Sequence, residues 1–278
     1  MIKFTKMQGI GNDYIYINCY ETEIKNPQEL SIEMSKRHFS VGSDGLVLIC
    51  PSTVADCKMR MFNADGSEGK MCGNAIRCVA KFVYDEKIVN KTEITVETLS
   101  GIKTLTLFLK DGKVDTVKVQ MGKAEIIPEK IPCLCEKSIN FPFTVNGKEY
   151  FGNAVSMGNP HNVIFCDEIK SLDLEKIGPS LENHKLFPER VNTEFVKVIS
   201  STEIDMRVWE RGSGETYACG TGACASVVAC VLNGRCDYEK DITVNLIGGQ
   251  LKIKVEKDLN VTMTGKAKRV YDGVYYED

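Results

Sequence analysis

Two stretches of the chain decide its fold: MCGNAIRCVAKFVY at residues 71–84 and ACGTGACASVVACVL at residues 218–232. Each has a Cys-Gly pair near its start, followed by a run that is apolar on almost every side. A helix that is apolar all round must be surrounded by protein. The two stretches therefore predict two buried central helices, residues 74–84 and 221–232, each preceded by a cysteine.

The two stretches belong to an internal repeat that aligns without a gap. Cys72 and Cys219 are 147 residues apart, and the same separation relates Asn12 to Asn159 and the segment MRMF to the segment MRVW. Agreement at three separate places predicts two copies of one structural unit.

The repeat sets the expected domain organisation. We expect the copies at about residues 1–120 and 148–267, joined by the proline-containing stretch 126–142. As domains, these are an N-terminal half, 1–120, with the tail 268–278 packed on it, and a C-terminal half, 121–267. The tail has no counterpart in the repeat.

Short β segments surround the apolar helix in each copy. Alternating or β-branched runs predict strands at residues 57–62, 102–109, 114–121, 193–199 and 251–255. The expected fold class is α/β (α+β), with two pseudo-symmetric halves, each a β-rich barrel-like unit around a central apolar helix. The pattern alone does not distinguish a sheet wrapped round the helix from a helix between two sheets.

The composition indicates a protein that acts on a small molecule. The 278 residues carry a net charge of −3, and 43% are hydrophobic, enough for a sizeable core. No basic stripe interleaved with aromatic residues suggests nucleic acid. The start of the chain lacks a cationic leader, and the apolar run 223–232 is about half the length of a membrane-spanning helix. We expect a cytoplasmic protein with no membrane partner.

Twelve cysteines need an explanation. No two have the Cys-x2-Cys spacing of a zinc site, so we expect no metal. Most are expected to be free thiols in a reducing cytoplasm, where cysteine behaves as a small buried hydrophobe. Cys72 and Cys219 differ from the others in having equivalent places in the repeat that each lie just before an apolar helix.

Cys72 and Cys219 both directly precede a predicted helix. The N–H groups and positive dipole at a helix start favour a thiolate and also bind carboxylates. If the two copies pack face to face, the thiols would confront each other across a cleft. Inverting a stereocentre requires a base on one face of the carbon and an acid on the other. The pattern therefore favours a racemase or epimerase that uses two thiols.

Several motifs resemble the signature of the diaminopimelate epimerase family. They are GND (11–13), NADGS (63–67), MCGNAIR (71–77), GNPH (158–161), RVN (190–192), ERGSGET (210–216) and ACGTG (218–222). The resemblance covers the whole chain and implies two similar α/β halves with the active site between them. It also implies interconversion of LL- and meso-2,6-diaminoheptanedioate without pyridoxal phosphate or metal, toward lysine and peptidoglycan.

The resemblance implies roles for the matching residues. Cys72 would be the proton donor and Cys219 the proton acceptor when the LL isomer reacts. Backbone N–H groups would hold the reacting carboxylate, at Gly73, Asn74, Gly220 and Thr221. Preorganised donors there stabilise the charge that develops as the α-proton leaves.

The far end of this substrate is a second amino-acid group. Arg211 offers a planar fork for its carboxylate, and Glu210 offers an anion for its ammonium. Amides complete the implied binding set, at Asn12, Asn63, Asn159 and Asn192. The resemblance also places His161 and Glu210 near the thiols, where they could tune the thiol pKa values. The other histidines, His38 and His184, are interpreted as structural.

Gly45 departs from the pattern of some relatives, which carry at that position a Gln that contacts substrate. Any contact from Gly45 would have to come from its backbone or from water.

Three other functions stay open on the residues alone. A racemase for proline or histidine would keep the two cysteines but need another distal pocket. A redox or metal-binding protein would show ligand-like spacing or a resolving cysteine nearby, and a pure binding protein would not need two thiols. We therefore expect a cofactor-independent epimerase acting on diaminopimelate, with a homodimer as the candidate assembly.

Overall fold

The computed structural model describes residues 1–277, so Asp278, the last residue of the expected tail, lies outside the described residues. The chain divides into two compact units. The first consists of Met1–Gln120 and the segment that starts at Thr264, and the second consists of Met121–Met263. Each unit has a hydrophobic cluster of its own.

The N-terminal half of the chain forms eight strands and two helices. In order they are β1 (Ile2–Gly9), β2 (Asn12–Asn18), α1 (Pro27–Ser35), β3 (Gly45–Cys50), β4 (Cys57–Asn63), β5 (Glu68–Gly69), α2 (Gly73–Asp85), β6 (Glu93–Thr98), β7 (Gly101–Lys110) and β8 (Lys113–Lys123). Side chains alternate between buried and more exposed positions along strands such as β6, as expected for a sheet with one face on a core.

The first unit alternates antiparallel hairpins with helical crossovers. β1 and β2 form a hairpin, and α1 then leads to β3, which pairs parallel to β2. β4 returns antiparallel to β3, and α2 leads to β6, which pairs parallel to β4. β7 and β8 complete the order as antiparallel neighbours. Parallel pairing requires such crossovers, and each one here contains a helix.

The C-terminal half repeats these elements. It contains β9 (Phe141–Val145), β10 (Lys148–Ser156), β11 (Pro160–Phe165), α3 (Leu174–Glu182), β12 (Asn192–Ser200), β13 (Glu203–Glu210), β14 (Gly214–Glu215), α4 (Gly220–Leu232), β15 (Ile242–Leu246), β16 (Gly249–Val255), β17 (Asn260–Lys266) and β18 (Lys268–Tyr275). A single 3-10 turn, Pro128–Lys130, precedes them.

The second unit follows the same pairing plan as the first. β10 and β11 form a hairpin, and α3 leads to β12, parallel to β11. β13 returns antiparallel to β12, and α4 leads to β15, parallel to β13. Helices α3 and α4 begin and end 147 residues after α1 and α2. The predicted α+β fold of two similar halves is confirmed.

Helices α2 and α4 are the central helices of the two units. α2 contacts β1, β2, β6 and β7, and α4 contacts β10 to β13 and β16. Most residues of both helices are buried. Because the strands around α2 belong to one continuous pairing order, the sheet curves around the helix, which answers the question that the sequence pattern leaves open.

Three parts of the chain differ from the sequence-based expectation. Helices α1 and α3 are additional to the predicted central helices. The expected linker 126–142 is not wholly irregular, because β9 begins at Phe141 and pairs with β10. The tail strand β18 pairs with β1 in the same antiparallel manner. The tail therefore has a structural counterpart in β9, although the repeat gives it none.

Helix length bears on the membrane question. Within residues 1–277, α2 and α4 have 13 residues each, and no helix combines the length and apolar character needed to cross a membrane.

Candidate active site

Cys219 occupies the position directly before α4. Its backbone is extended, and its sulfur accepts a hydrogen bond from the N–H of Gly222 at 3.3 Å. The hydroxyl of Thr221 lies 3.6 Å from the same sulfur. Only 5% of Cys219 is exposed. The thiol therefore meets first-turn donors of the helix, as its place in the sequence predicts.

Two carboxylates oppose ionisation of this thiol. Burial first, then Glu210 and Glu194, raise the pKa of Cys219 well above its usual value, and Thr221 and Gly222 lower it only in part. The helix start acts in the predicted direction but is outweighed. Ionisation of the Cys219 thiol is therefore disfavoured in the free protein.

Glu210 lies at the end of β13 and is itself perturbed. Burial raises the pKa of its carboxyl group above the usual value, against the opposing effects of Thr216, Cys219 and His161. The hydroxyl of Thr216 donates a hydrogen bond to its Oε1 atom. A carboxyl and a thiol that lie in hydrogen-bond contact and both have raised pKa values are typical of proton-transfer sites.

His161 and Glu194 form a fully buried pair next to the thiol. Nδ1 of His161 lies 2.7 Å from Oε1 of Glu194, and both side chains are 0% exposed. Nε2 of His161 lies 3.1 Å from Oδ1 of Asn159. The parallel register of β11 and β12 explains the pairing, since it places Val163 opposite Glu194, two residues beyond His161.

These side chains include possible metal ligands. One nitrogen of His161, one carboxylate oxygen of Glu194 and the sulfur of Cys219 all lie within 4.8 Å of one another. Imidazole, carboxylate and thiolate are the donors that Zn²⁺ accepts. The same three groups can equally hold and transfer a proton.

Arg211 follows β13 and donates hydrogen bonds from its backbone and from its guanidinium. Its N–H donates to Oδ1 of Asn192 at 2.9 Å, and Nη1 donates to the carbonyl of Glu189 at 2.7 Å. Asn192 in turn donates to the carbonyl of Pro160 at 2.9 Å. Arg207 forms an ion pair with an acid, but no ion pair of Arg211 is found in residues 1–277. Its guanidinium can therefore receive an incoming carboxylate.

Cys72 has the matching place before α2. Its thiol donates to Oδ1 of Asn12 at 3.4 Å, and the Asn12 amide donates to Oδ2 of Asp44 at 2.8 Å. Asp44 also accepts the N–H of Asp13 at 3.0 Å. This network ties the β1–β2 hairpin to the loop before β3 and positions Asn12 beside Cys72.

A buried arginine organises the first turn of α2. Arg77 is 0% exposed, and it donates from Nη1 to the Gly73 carbonyl and from Nη2 to Oδ1 of Asn74, each at 2.9 Å. Its Nε donates to the carbonyl of Lys266 at 3.3 Å. The guanidinium thus holds in place the two residues predicted to receive the substrate carboxylate.

Asn63 and Gly45 lie opposite each other on β4 and β3. The Asn63 amide donates to the hydroxyl of Ser67 at 2.9 Å. A Cβ atom on Gly45 would lie 2.0 Å from the carbonyl oxygen of Phe62. No side chain, Gln included, fits there with this backbone, so Gly45 offers only backbone atoms.

The structure brings together several of the predicted site residues. In the second unit Cys219 lies with Glu210 and His161, and Arg211 is hydrogen-bonded to Asn192. In the first unit Cys72 lies with Asn12. Sequence reasoning missed Glu194. The available signal was a charged residue in a buried strand, where the first copy has Val47.

Comparison with known proteins identifies the family. The sequence profile of diaminopimelate epimerase matches residues 4–127 and 153–270. The chain belongs to the diaminopimelate epimerase family. The diaminopimelate epimerase of Desulfovibrio desulfuricans is 56% identical over 284 residues, which cover 99% of this chain and 98% of that protein. The diaminopimelate epimerase of Acetivibrio thermocellus is 55% identical over 275 residues, 98% of each chain. The prediction of a diaminopimelate epimerase is confirmed.

Solved structures show how widely the fold of this epimerase is shared. A probable proline racemase from Agrobacterium radiobacter K84 superposes with a TM-score of 0.71 at 13% identity, covering 100% of this chain and 94% of that chain. A PhzF-family phenazine biosynthesis protein from Bacillus anthracis gives a TM-score of 0.68 at 14% identity, covering 98% of each chain. At these identities the likeness concerns the fold alone.

Proposed function

We propose that this epimerase converts LL-2,6-diaminoheptanedioate into the meso isomer by moving an α-proton between Cys72 and Cys219, in a cytoplasmic route toward lysine and peptidoglycan. The observation that carries the proposal is the matched placement of the two thiols, directly before α2 and α4. One sulfur takes the α-proton from one face of the carbon, and the other delivers a proton to the opposite face. No cofactor takes part.

The two thiols exchange roles with the direction of reaction. For the LL isomer, Cys219 is the acceptor and Cys72 the donor. The raised pKa of Cys219 has two effects. It makes the enzyme form with a Cys219 thiolate less populated, and it makes that thiolate a stronger base for a weakly acidic C–H bond.

The starts of the two central helices hold the reacting carboxylate. The first N–H groups of a helix have no partner within the helix, and they carry the positive end of its dipole. The backbone N–H groups at these helix starts donate hydrogen bonds to the reacting carboxylate, which gains charge as the α-proton leaves. They belong to Gly73, Asn74, Gly220 and Thr221. Arg77 supports this role because it holds the first turn of α2.

The second amino-acid group of the substrate is bound through a separate set of residues. Arg211 clamps its carboxylate, supported by Asn192, and Glu210 attracts its ammonium. Amides of Asn12, Asn63 and Asn159 add hydrogen bonds. This set favours diaminopimelate over proline, because proline has no second carboxylate for Arg211.

Solvent exchange tests the reaction directly. Incubated with LL-diaminopimelate in D2O, the protein should give a meso product that carries deuterium at the inverted carbon. Cys72→Ser and Cys219→Ala should each lose about 10³-fold or more in kcat, whereas Cys166→Ala, a half-buried thiol elsewhere in the second unit, should retain activity. A meso product without label, or full activity in either of the first two variants, would refute the proposal.

The substrate assignment has its own test. Rates with proline and histidine should be negligible beside the rate with LL-diaminopimelate. A higher kcat/KM for proline would replace the proposed substrate with a single amino acid.

A further inference from the structure

We infer that Glu194 is a positioning residue of the epimerisation: its carboxylate holds the His161 ring through Nδ1 and so fixes the ring beside Cys219. The inference rests on the proposed function, since it concerns the surroundings of a thiol that the proposed reaction uses. Glu194 does not touch the reacting carbon in this scheme and acts through His161.

The contact geometry fixes the orientation of the His161 ring. Nδ1 lies 2.7 Å from a carboxylate oxygen of Glu194, and Nε2 lies 3.1 Å from the amide oxygen of Asn159. An ionised carboxylate can only accept a hydrogen bond, so Nδ1 is the donor in the contact with Glu194. The two contacts together hold the ring beside Cys219.

The second oxygen of Glu194 distinguishes it from a structural carboxylate. Oε2 of Glu194 is buried and has no hydrogen-bond partner in residues 1–277. By contrast, Glu182 in the same unit uses both oxygens, accepting from Arg190, Gly212 and Trp209. Burying a half-satisfied carboxylate is unfavourable. A residue kept only for stability would not be expected to leave one oxygen unpaired.

The helix beside Glu194 is adapted to make room for its carboxylate. A Cβ atom on Gly222 would lie 2.6 Å from Oε1 of Glu194 and 3.2 Å from the sulfur of Cys219. Glycine inside a helix costs about 1 kcal/mol relative to alanine, and the chain retains it here. Substituting even alanine would push the carboxylate away from His161.

The first copy shows that these residues occur as a set. At the positions that match His161, Glu194 and Gly222, it has Tyr14, Val47 and Ala75. The histidine, the carboxylate and the glycine that admits it are therefore present together in one copy and absent together from the other. This joint replacement indicates that the three residues act together rather than independently.

Kinetics of Glu194→Gln test the positioning role. This variant keeps the size of the side chain and an acceptor for Nδ1 but removes the charge. We expect kcat to fall by about 10- to 100-fold, the range seen when the partner that orients a functional histidine is lost. KM should change little, because Glu194 is fully buried and does not bind substrate. Glu194→Asp should recover part of kcat.

Nitrogen NMR of labelled histidine gives a readout that needs no turnover. The chain has only three histidines, His38, His161 and His184, so His161 can be assigned by its absence in His161→Gln. In the unmodified protein Nδ1 of His161 should have the shift of a nitrogen hydrogen-bonded to a carboxylate. In Glu194→Gln the Nδ1 shift should change, because the charged partner of this hydrogen bond is lost.

Two further variants complete the design. Gly222→Ala should change the His161 signals in the same direction as Glu194→Gln, which keeps the test decisive if the Gln variant does not fold. Asp56→Asn, which alters a half-buried carboxylate bonded to Thr95 in the first unit, should leave them unchanged.

Each outcome decides the inference. A changed His161 ring together with a lower kcat supports it. Unchanged His161 signals in Glu194→Gln and Gly222→Ala, or changed signals with an unchanged kcat, would overturn it. Neither result would affect the proposed function, which depends on the cysteine variants and the solvent label.

Discussion

Cys72 and Cys219 lie at the same place in the backbone of their units, but the side chains around them differ in charge. Both thiols lie directly before a 13-residue central helix. Around Cys219 the matched positions carry a histidine and two carboxylates, His161, Glu194 and Glu210, whereas the matching positions of the first copy carry Tyr14, Val47 and Asn63. The comparison teaches that duplication preserves where each thiol lies, while a few substitutions change the charged groups around it.

Arg77 extends this contrast to the helices themselves. It is a buried cation in the first turns of α2, and the matching residue of α4 is Cys224. The Cys72 surroundings therefore contain a buried positive charge, and those of Cys219 contain two carboxylates. In the proposed reaction the acid and the base need not be equal, and the charged groups near the two thiols differ.

The largest expected effect comes from removing a carboxylate beside Cys219. Glu210→Gln should lower kcat by about 10²-fold. Because Glu210 raises the pKa of Cys219, its loss should also shift the pH midpoint for alkylation of this thiol to lower pH. Iodoacetamide labelling followed by peptide mass mapping measures the midpoint for each cysteine.

The reverse change adds a carboxylate to the first unit, which contains Cys72. Asn63→Asp places a carboxylate at the position that matches Glu210 and should move the alkylation midpoint of Cys72 to higher pH. If neither midpoint moves, the contrast between the two thiols does not arise from these charges.

A smaller effect, on stability, is expected at the helix starts. Arg77→Met removes a buried guanidinium that donates hydrogen bonds to Gly73, Asn74 and Lys266, and it should lower the free energy of unfolding by about 2–4 kcal/mol. Cys224→Ala, at the matching position, removes one sulfur atom and should cost about 1 kcal/mol. Urea titrations monitored by circular dichroism measure both. Equal losses of unfolding free energy in the two variants would show that the buried charge of Arg77 adds no stability beyond its packing.

The smallest effect concerns a contact that both copies keep. Arg60 pairs with Glu68, and Arg207 pairs with Glu215, in the same geometry. Arg207 also donates to three backbone carbonyls before α3 and is the less exposed of the two. Arg207→Met should therefore lower stability by about 1–2 kcal/mol, and Arg60→Met by less than about 1 kcal/mol. A larger loss for Arg60→Met would contradict the ranking.

Local pattern and the repeat predict much of the fold. The five predicted strands and both central helices are confirmed within a few residues, because hydrophobic periodicity is a local property. The additional helices α1 and α3 have weaker signals: α1 mixes polar and apolar residues with little periodicity, and α3 contains Pro179. The short strand β9 is defined mainly by its partner β10.

The candidate site is less accessible to sequence reasoning because its key contacts are not local. Glu194 meets His161 only because β11 and β12 pair in parallel with one register. The helix start alone predicts an easily ionised Cys219, but burial and two carboxylates reverse the balance. Gly45 shows a further limit of sequence reasoning. No side chain fits there because the carbonyl oxygen of Phe62 lies too close, and this contact is visible only in the structure.

The pairing of β18 with β1 has a consequence for biosynthesis. The second unit is one continuous segment, Met121–Met263, whereas the first unit requires residues from Thr264 onward. During translation the second unit can therefore close while the first still has an open sheet edge at β1, the kind of edge that attracts other chains. The Lys266 carbonyl that binds Arg77 also emerges late from the ribosome. The surroundings of Cys72, although encoded first, are the last to be completed.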